Sequence, residues 1–172
     1  MGIFTIFSGT AQAEGQQGVM FSPSFIFSSY NDRASGSSFA QVSGQYIDVR
    51  LGYVMPSGLY LGGIYDLMNR TDFTTERKRS SYGASLGMVY NGFVLIGSYL
   101  ISSEFETSSG TTLKSGSGLQ VDLGYLFNVT GSFFAGPQLV YRSITYTKQN
   151  STTVTSTDST ETIPYVTLAF LF

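Results

Sequence analysis

The side chains able to do chemistry in this 172-residue chain are few: it has no His and no Cys, and 9 Lys and Arg stand against 11 Asp and Glu. Without His, neither a Ser-His nor a His-Asp arrangement can be built. Without Cys there is no disulfide framework and no thiolate metal site. What remains is carboxylates, guanidiniums and amides. Asp48, Arg50, Asp66, Arg70, Asp122 and Arg142, with Gln120 and Gln138, punctuate stretches that are otherwise apolar. Glu104 and Glu106 stand two apart, and Arg77-Lys78-Arg79 is a basic run. Paired carboxylates supply acid–base catalysis or a cation site, whereas opposite charges in comparable number supply a salt-bridge network that fixes register. The network is the expected role of the first eight residues. No catalytic residue, metal site or cofactor is expected. Glu104 and Glu106 as cation ligands are weighed against plain hydration, which is the simpler reading.

These residues need elements to hold them, and the longest uncharged stretch, 80–103 (SSYGASLGMVYNGFVLIGSYLISS), shows which kind. Its length is that of a membrane-spanning helix. Asn91-Gly92 at its centre is instead the strongest short signal for a two-residue hairpin turn. Tyr82, Ala84, Leu86, Met88 and Tyr90 alternate with small residues before the turn, and Phe93, Leu95, Gly97, Tyr99 and Ile101 continue the alternation after it. Four glycines inside a helix would cost roughly 1 kcal/mol each relative to Ala. The stretch reads as two strands.

The same alternation recurs along 18–30, 44–55, 59–71, 118–128, 133–147 and 161–172, making eight segments, each long enough for a tilted strand to cross a bilayer. Pro137 inside the seventh is awkward for a ladder and signals a bulge. Connections alternate long and short: PSG, NG and NVTGS are short, and the others are long and polar. Every charge placed inside a strand, Glu104 and Glu106 included, takes the phase opposite the large apolar residues. Charged residues are only 12% of the chain against a usual value of about 25%, and aromatics are 15%. Such a chain has no Lys/Glu-rich face for water. An apolar phase facing lipid and a polar phase filling a narrow lumen fit both facts. Tyr53, Tyr90, Phe93, Phe127, Phe133 and Phe172 lie beside the short turns, where an aromatic girdle belongs.

The fold expected is therefore all-β, an eight-stranded antiparallel up-and-down transmembrane barrel over residues 18–172. Its lumen would carry the polar network on strands two, three, six and seven, facing a wall of small residues on strand four. Residues 1–13 read as a signal-peptide remnant, because Ala11-Gln12-Ala13 follows a short apolar stretch, and 14–17 as a short N-terminal segment. A net charge of −2 argues against nucleic acid as a partner.

The last strand adds a resemblance. In PYVTLAFLF, Val166, Leu168, Phe170 and Phe172 occupy every second position up to a terminal Phe, with Tyr165 on the other face. This resembles the C-terminal signal of bacterial outer-membrane barrels, and so implies recognition by the barrel-assembly machinery. The chain as a whole resembles the small eight-stranded barrels of the OmpA-transmembrane-domain, OmpX and OmpW kind. That implies the bacterial outer membrane, with its lipid and lipopolysaccharide as surroundings. The enzymes of this class, lipid A palmitoyltransferase and deacylase barrels among them, rely on His, which this chain lacks. The function expected is a non-enzymatic structural or surface-interaction protein, a monomer that meets an extracellular partner through its outer loops. A narrow channel for small or hydrophobic solutes, as in OmpW, is the alternative. Arg77, Lys78 and Arg79 are expected on an outer loop, solvated or in contact with lipopolysaccharide phosphates.

Overall fold

The computed structural model describes residues 17–34, 38–72, 75–150 and 152–172; residues 1–13, read above as an export segment, lie outside them. Nine strands occur among the described residues: β1 (Gly18–Ala34), β2 (Ser38–Val54), β3 (Leu59–Asp72), β4 (Thr75–Tyr90), β5 (Phe93–Thr107), β6 (Thr112–Tyr125), β7 (Phe127–Thr130), β8 (Phe133–Gln149) and β9 (Thr152–Leu171). Each strand pairs antiparallel with the next in chain order except β6 and β7, which both pair with β8. The two are successive pieces of one stave, since Gly124↔Gln138 and Phe127↔Ala135 keep one register. Pro137 faces this break, and having no N–H it leaves a gap in the ladder rather than a bulge. The ring thus has eight staves. It closes where β1 meets β9, from Met20↔Leu171 to Phe25↔Val166, with Val19 and Phe172 exchanging both backbone hydrogen bonds below.

Local chemistry sets the two ends. Asn91 (φ 50°) and Gly92 (φ 80°) both take positive φ between the paired Tyr90 and Phe93, as the type I′ turn requires. Gly58 (φ 82°) closes the turn after Pro56, and Gly131 (φ 49°) with Ser132 turns β7 into β8. The third short connection is therefore two residues, tighter than NVTGS read as a loop. At the opposite end the polar stretches expected as long loops are largely strand. β1 and β2 stay paired to Ala34↔Ser38, β3 and β4 to Asp72↔Thr75, and β8 and β9 to Gln149↔Thr152. Their Thr and Ser content suits a pleated backbone, and hairpin pairing extends it in fixed register.

The outward face is apolar. Leu51, Leu61, Leu86, Leu95, Leu119, Val121 and Leu139 are all exposed on it. Tyr53, Tyr90, Phe93 and Phe127 ring the turn end, and Tyr65, Tyr82, Tyr99 and Tyr141 stand higher on the same face. The eight residue steps from Tyr82 to Tyr90 rise roughly 20 Å along a tilted barrel axis, most of an apolar band about 25 Å tall.

Candidate functional site: the polar lumen

The inward phase builds the lumen in layers. At the turn end Met20, Val54, Tyr60, Val94, Ile96, Leu126 and Ala169 form one apolar cluster. Toward the hairpin end Ile64, Leu100, Ile144 and Tyr146 form a second, and Val140, Ile163 and Tyr165 a third. Close packing here needs glycine. Gly52 and Gly62 are cross-strand partners, and the Tyr60 side chain lies over both. A Cβ on Gly52 would come within 2.5 Å of the Tyr60 ring and of the Leu61 carbonyl oxygen.

Charge occupies the space between. Asp48 and Asp66 are paired directly across β2 and β3, an arrangement of like charges that is unfavourable by itself. Arg142 resolves it from β8. Its Nη2 lies 2.9 Å from Asp48 Oδ1 and its Nη1 2.9 Å from Asp66 Oδ1. Its Nε donates to Gln120 Oε1 at 2.6 Å. Gln120 turns its amide the other way, donating from Nε2 to Asp48 at 2.7 Å and to Asp122 at 3.0 Å. Arg50 Nη2 meets Asp122 Oδ1 at 2.7 Å, and Gln138 Nε2 donates to the same oxygen at 2.8 Å. Gln138 in turn accepts from Thr167 Oγ1 at 2.7 Å. No residue of this set is more than 5% exposed. Asp48, Arg50, Asp66, Gln120, Asp122, Gln138 and Arg142 therefore come together in one buried layer.

Three expectations are corrected. Arg70 is outside the network: it donates from Nε to Asp72 at the hairpin end, with 35% of its side chain exposed. Arg79 is no loop residue. It is buried in the lumen, its Nε 2.9 Å from Asp66 Oδ2 and its Nη1 2.8 Å from Glu161 Oε2. Strand four is thus not a wall of small residues alone. Third, β5 carries a bulge between Leu100 and Ser103, which puts Ser103 and Phe105 on the inward phase and turns Glu104 and Glu106 out. The bulge trades two carboxylates for Phe105, which packs near Tyr146 in the second apolar cluster.

Glu161 and Tyr165 were missed as network members. Tyr165 donates from its hydroxyl to Asp48 Oδ1 at 3.2 Å. Their signal is parity, since Glu161, Ile163, Tyr165, Thr167 and Ala169 share one phase opposite Val166. Arg79 likewise shares the phase of Ser81 and Ser85 once β4 is allowed to start before Ser80.

No family model matches the chain. No curated protein matches it either. Among solved structures, the chain is similar to the outer membrane protein AlkL determined in DMPC lipid bilayers, at 12% identity over 91% of each chain with a TM-score of 0.41. It is also similar to OmpT of Vibrio cholerae folded in vitro, at 13% identity and a TM-score of 0.40, covering 92% of this chain and 52% of that one. The same protein expressed in the outer membrane gives 16% identity and a TM-score of 0.39, covering 92% and 53%. The chain spans about half the length of those OmpT chains.

Chemically, the lumen holds charges and does not present them. Among the described residues, no group of three or more His, Cys, Asp or Glu is placed to hold a metal ion. The buried hydroxyls hydrogen-bond one another: Ser85 with Ser98 at 2.7 Å, and Ser103 with Ser81 at 2.8 Å and with Tyr146 at 3.0 Å. Ser81 also donates to Asp66 Oδ2 at 3.3 Å, which ties this hydroxyl group to the charged layer.

Proposed function

We propose that the protein is an integral barrel of the bacterial outer membrane, a non-enzymatic structural or surface-interaction protein whose lumen is a fixed plug and whose hairpins face outward. The observation that carries this reading is the closure of the lumen: Asp48, Asp66, Asp122 and Arg142 are 0% exposed, and apolar clusters lie to either side of them. A solute path would have to part at least three ion pairs at once, and buried pairs that lose a partner cost about 3–5 kcal/mol. The other elements of the reading follow from position. β9 ends on the outward face with Val166 and Phe172 exposed and Phe170 stacked between Phe21 and Phe133, where an assembly factor could read Val166, Leu168, Phe170 and Phe172. The long hairpins offer the surface for an extracellular partner, and a single closed ring needs no second copy.

Planar-bilayer recording tests the plug. The purified barrel is expected to insert without steady single-channel openings. Reproducible unitary conductance from the wild-type protein would overturn the plugged reading in favour of a narrow channel.

A further inference from the structure

One seam of the barrel stays open toward the hairpins. β2 and β3 are paired up to Val42↔Asp72, β4 and β5 up to Arg77↔Thr107, and β6 and β8 up to Leu113↔Gln149. Between β1 and β9, pairing among the described residues ends at Phe25↔Val166, although β1 runs on to Ala34 and β9 starts back at Thr152. Two prolines explain where it ends. Val19 and Phe172 exchange both backbone hydrogen bonds, so rungs of that kind recur at every second residue and include Pro23 opposite Leu168 and Pro164 opposite Phe27. At the first, Ser22 Oγ donates to the Leu168 carbonyl at 3.0 Å in place of the missing N–H. At the second, the next such rung above the last pair, Pro164 has no N–H to give.

Above Pro164, the residues of β9 whose N–H and C=O face β1 are Thr162, Thr160, Asp158 and Ser156. Thr162 is paired on its other side with Tyr141, one of the upper tyrosines. The edge therefore begins at the membrane surface and rises into water, where an open edge is permitted. Native edges are commonly blunted by Lys or Pro. From Thr152 to Ile163 this one carries neither. Donors and acceptors in a row at the spacing of a strand match another extended polypeptide. The inner phase of an added strand would meet Ile163 of the third apolar cluster and Ile26, which packs on it. A second copy does not fit: strands tilt about 35–45° from the barrel axis, so the facing walls of two barrels in one membrane cross at roughly 70–90°.

We infer that the upper edge of β9 takes up an extended segment of an extracellular protein by backbone pairing, adding a strand in the open seam. The inference rests on the surface-interaction reading above and names the kind of partner for it. Affinity comes from main-chain hydrogen bonds, and the Ile26 and Ile163 side adds a preference for apolar residues at every second position.

Disulfide trapping tests the open seam. Ser24→Cys/Thr167→Cys, on a paired rung where the native hydroxyls are 2.8 Å apart, should cross-link on mild oxidation. Ser28→Cys/Ile163→Cys, the equivalent positions above Pro164, should not, since Cα atoms more than about 7 Å apart cannot be bridged. A short fluorescein-labelled peptide alternating Val and Thr tests the occupant, by anisotropy on the purified barrel in micelles. Saturable binding is expected, weakened on the order of tenfold in Thr160→Pro/Thr162→Pro, which removes two N–H groups from the edge and leaves the donors facing β8 in place. Thr160→Val/Thr162→Val should bind as the wild type does, and the peptide N-methylated throughout should not bind. Heat-modifiable gel mobility of the same samples reports separately on whether the barrel is formed. Ready cross-linking of Ser28→Cys/Ile163→Cys, no peptide binding to a formed barrel, or equal binding of the N-methylated peptide would overturn the assignment. So would unaltered binding in the proline variant, or a barrel dimer that the proline variant dissolves.

Discussion

Arg142 and Arg50 occupy the same buried layer but carry different burdens. Arg142 separates the facing carboxylates Asp48 and Asp66 and fixes the amide of Gln120. Its removal leaves the two carboxylates facing each other in direct cross-strand register, with Arg79 on Asp66 and only a 3.5 Å contact from Arg50 on Asp48, and Arg142→Met is expected to destabilise the barrel by about 3–5 kcal/mol. Arg50 serves chiefly Asp122, which keeps donors from Gln120 and Gln138, and Arg50 Nε and Nη1 have no protein hydrogen-bond partner. Arg50→Met should therefore cost clearly less. Urea unfolding of the two variants in detergent micelles measures the difference, and an equal or larger loss for Arg50→Met would contradict this division of labour.

The elements show where sequence reading reached and where it stopped. The Asn91-Gly92 turn, the alternation on either side of it, and the inward phase of β2, β3, β6 and β8 were legible, because a period of two with one apolar phase admits a single register. Arg79 was not legible as long as the Thr, Glu, Arg and Lys before Ser80 were taken for loop, since composition there reads as polar and only pairing with β3 shows strand. Glu104 and Glu106 were misplaced for a different reason. A bulge inverts parity beyond it, and nothing in SYLISSEFET distinguishes a bulge from continued alternation. Turn chemistry gives a direct prediction at this scale. Gly92 sits at φ 80°, and a Cβ there would stand 2.5 Å from the Leu126 carbonyl oxygen. Gly92→Ala should cost at least about 1 kcal/mol, read as a lowered urea midpoint with unchanged slope; an unaltered midpoint would mean that the turn is not under this constraint.

At the scale of the molecule, the barrel inverts a soluble protein. Large apolar side chains lie outside and a charged, hydrogen-bonded layer lies within, so hydrophobic burial in water cannot hold it and the lipid must supply the complementary surface. The polar layer then fixes which staves face which, since Asp48, Gln120 and Arg142 meet from three different strands. The most direct measurement of that claim is the mobility of the purified chain on a detergent gel, unheated and boiled, after refolding into lipid vesicles. The barrel predicts two distinct mobilities, with the unheated form resistant to added protease. One mobility at both temperatures, from a chain that stays soluble without detergent or lipid, would contradict the account.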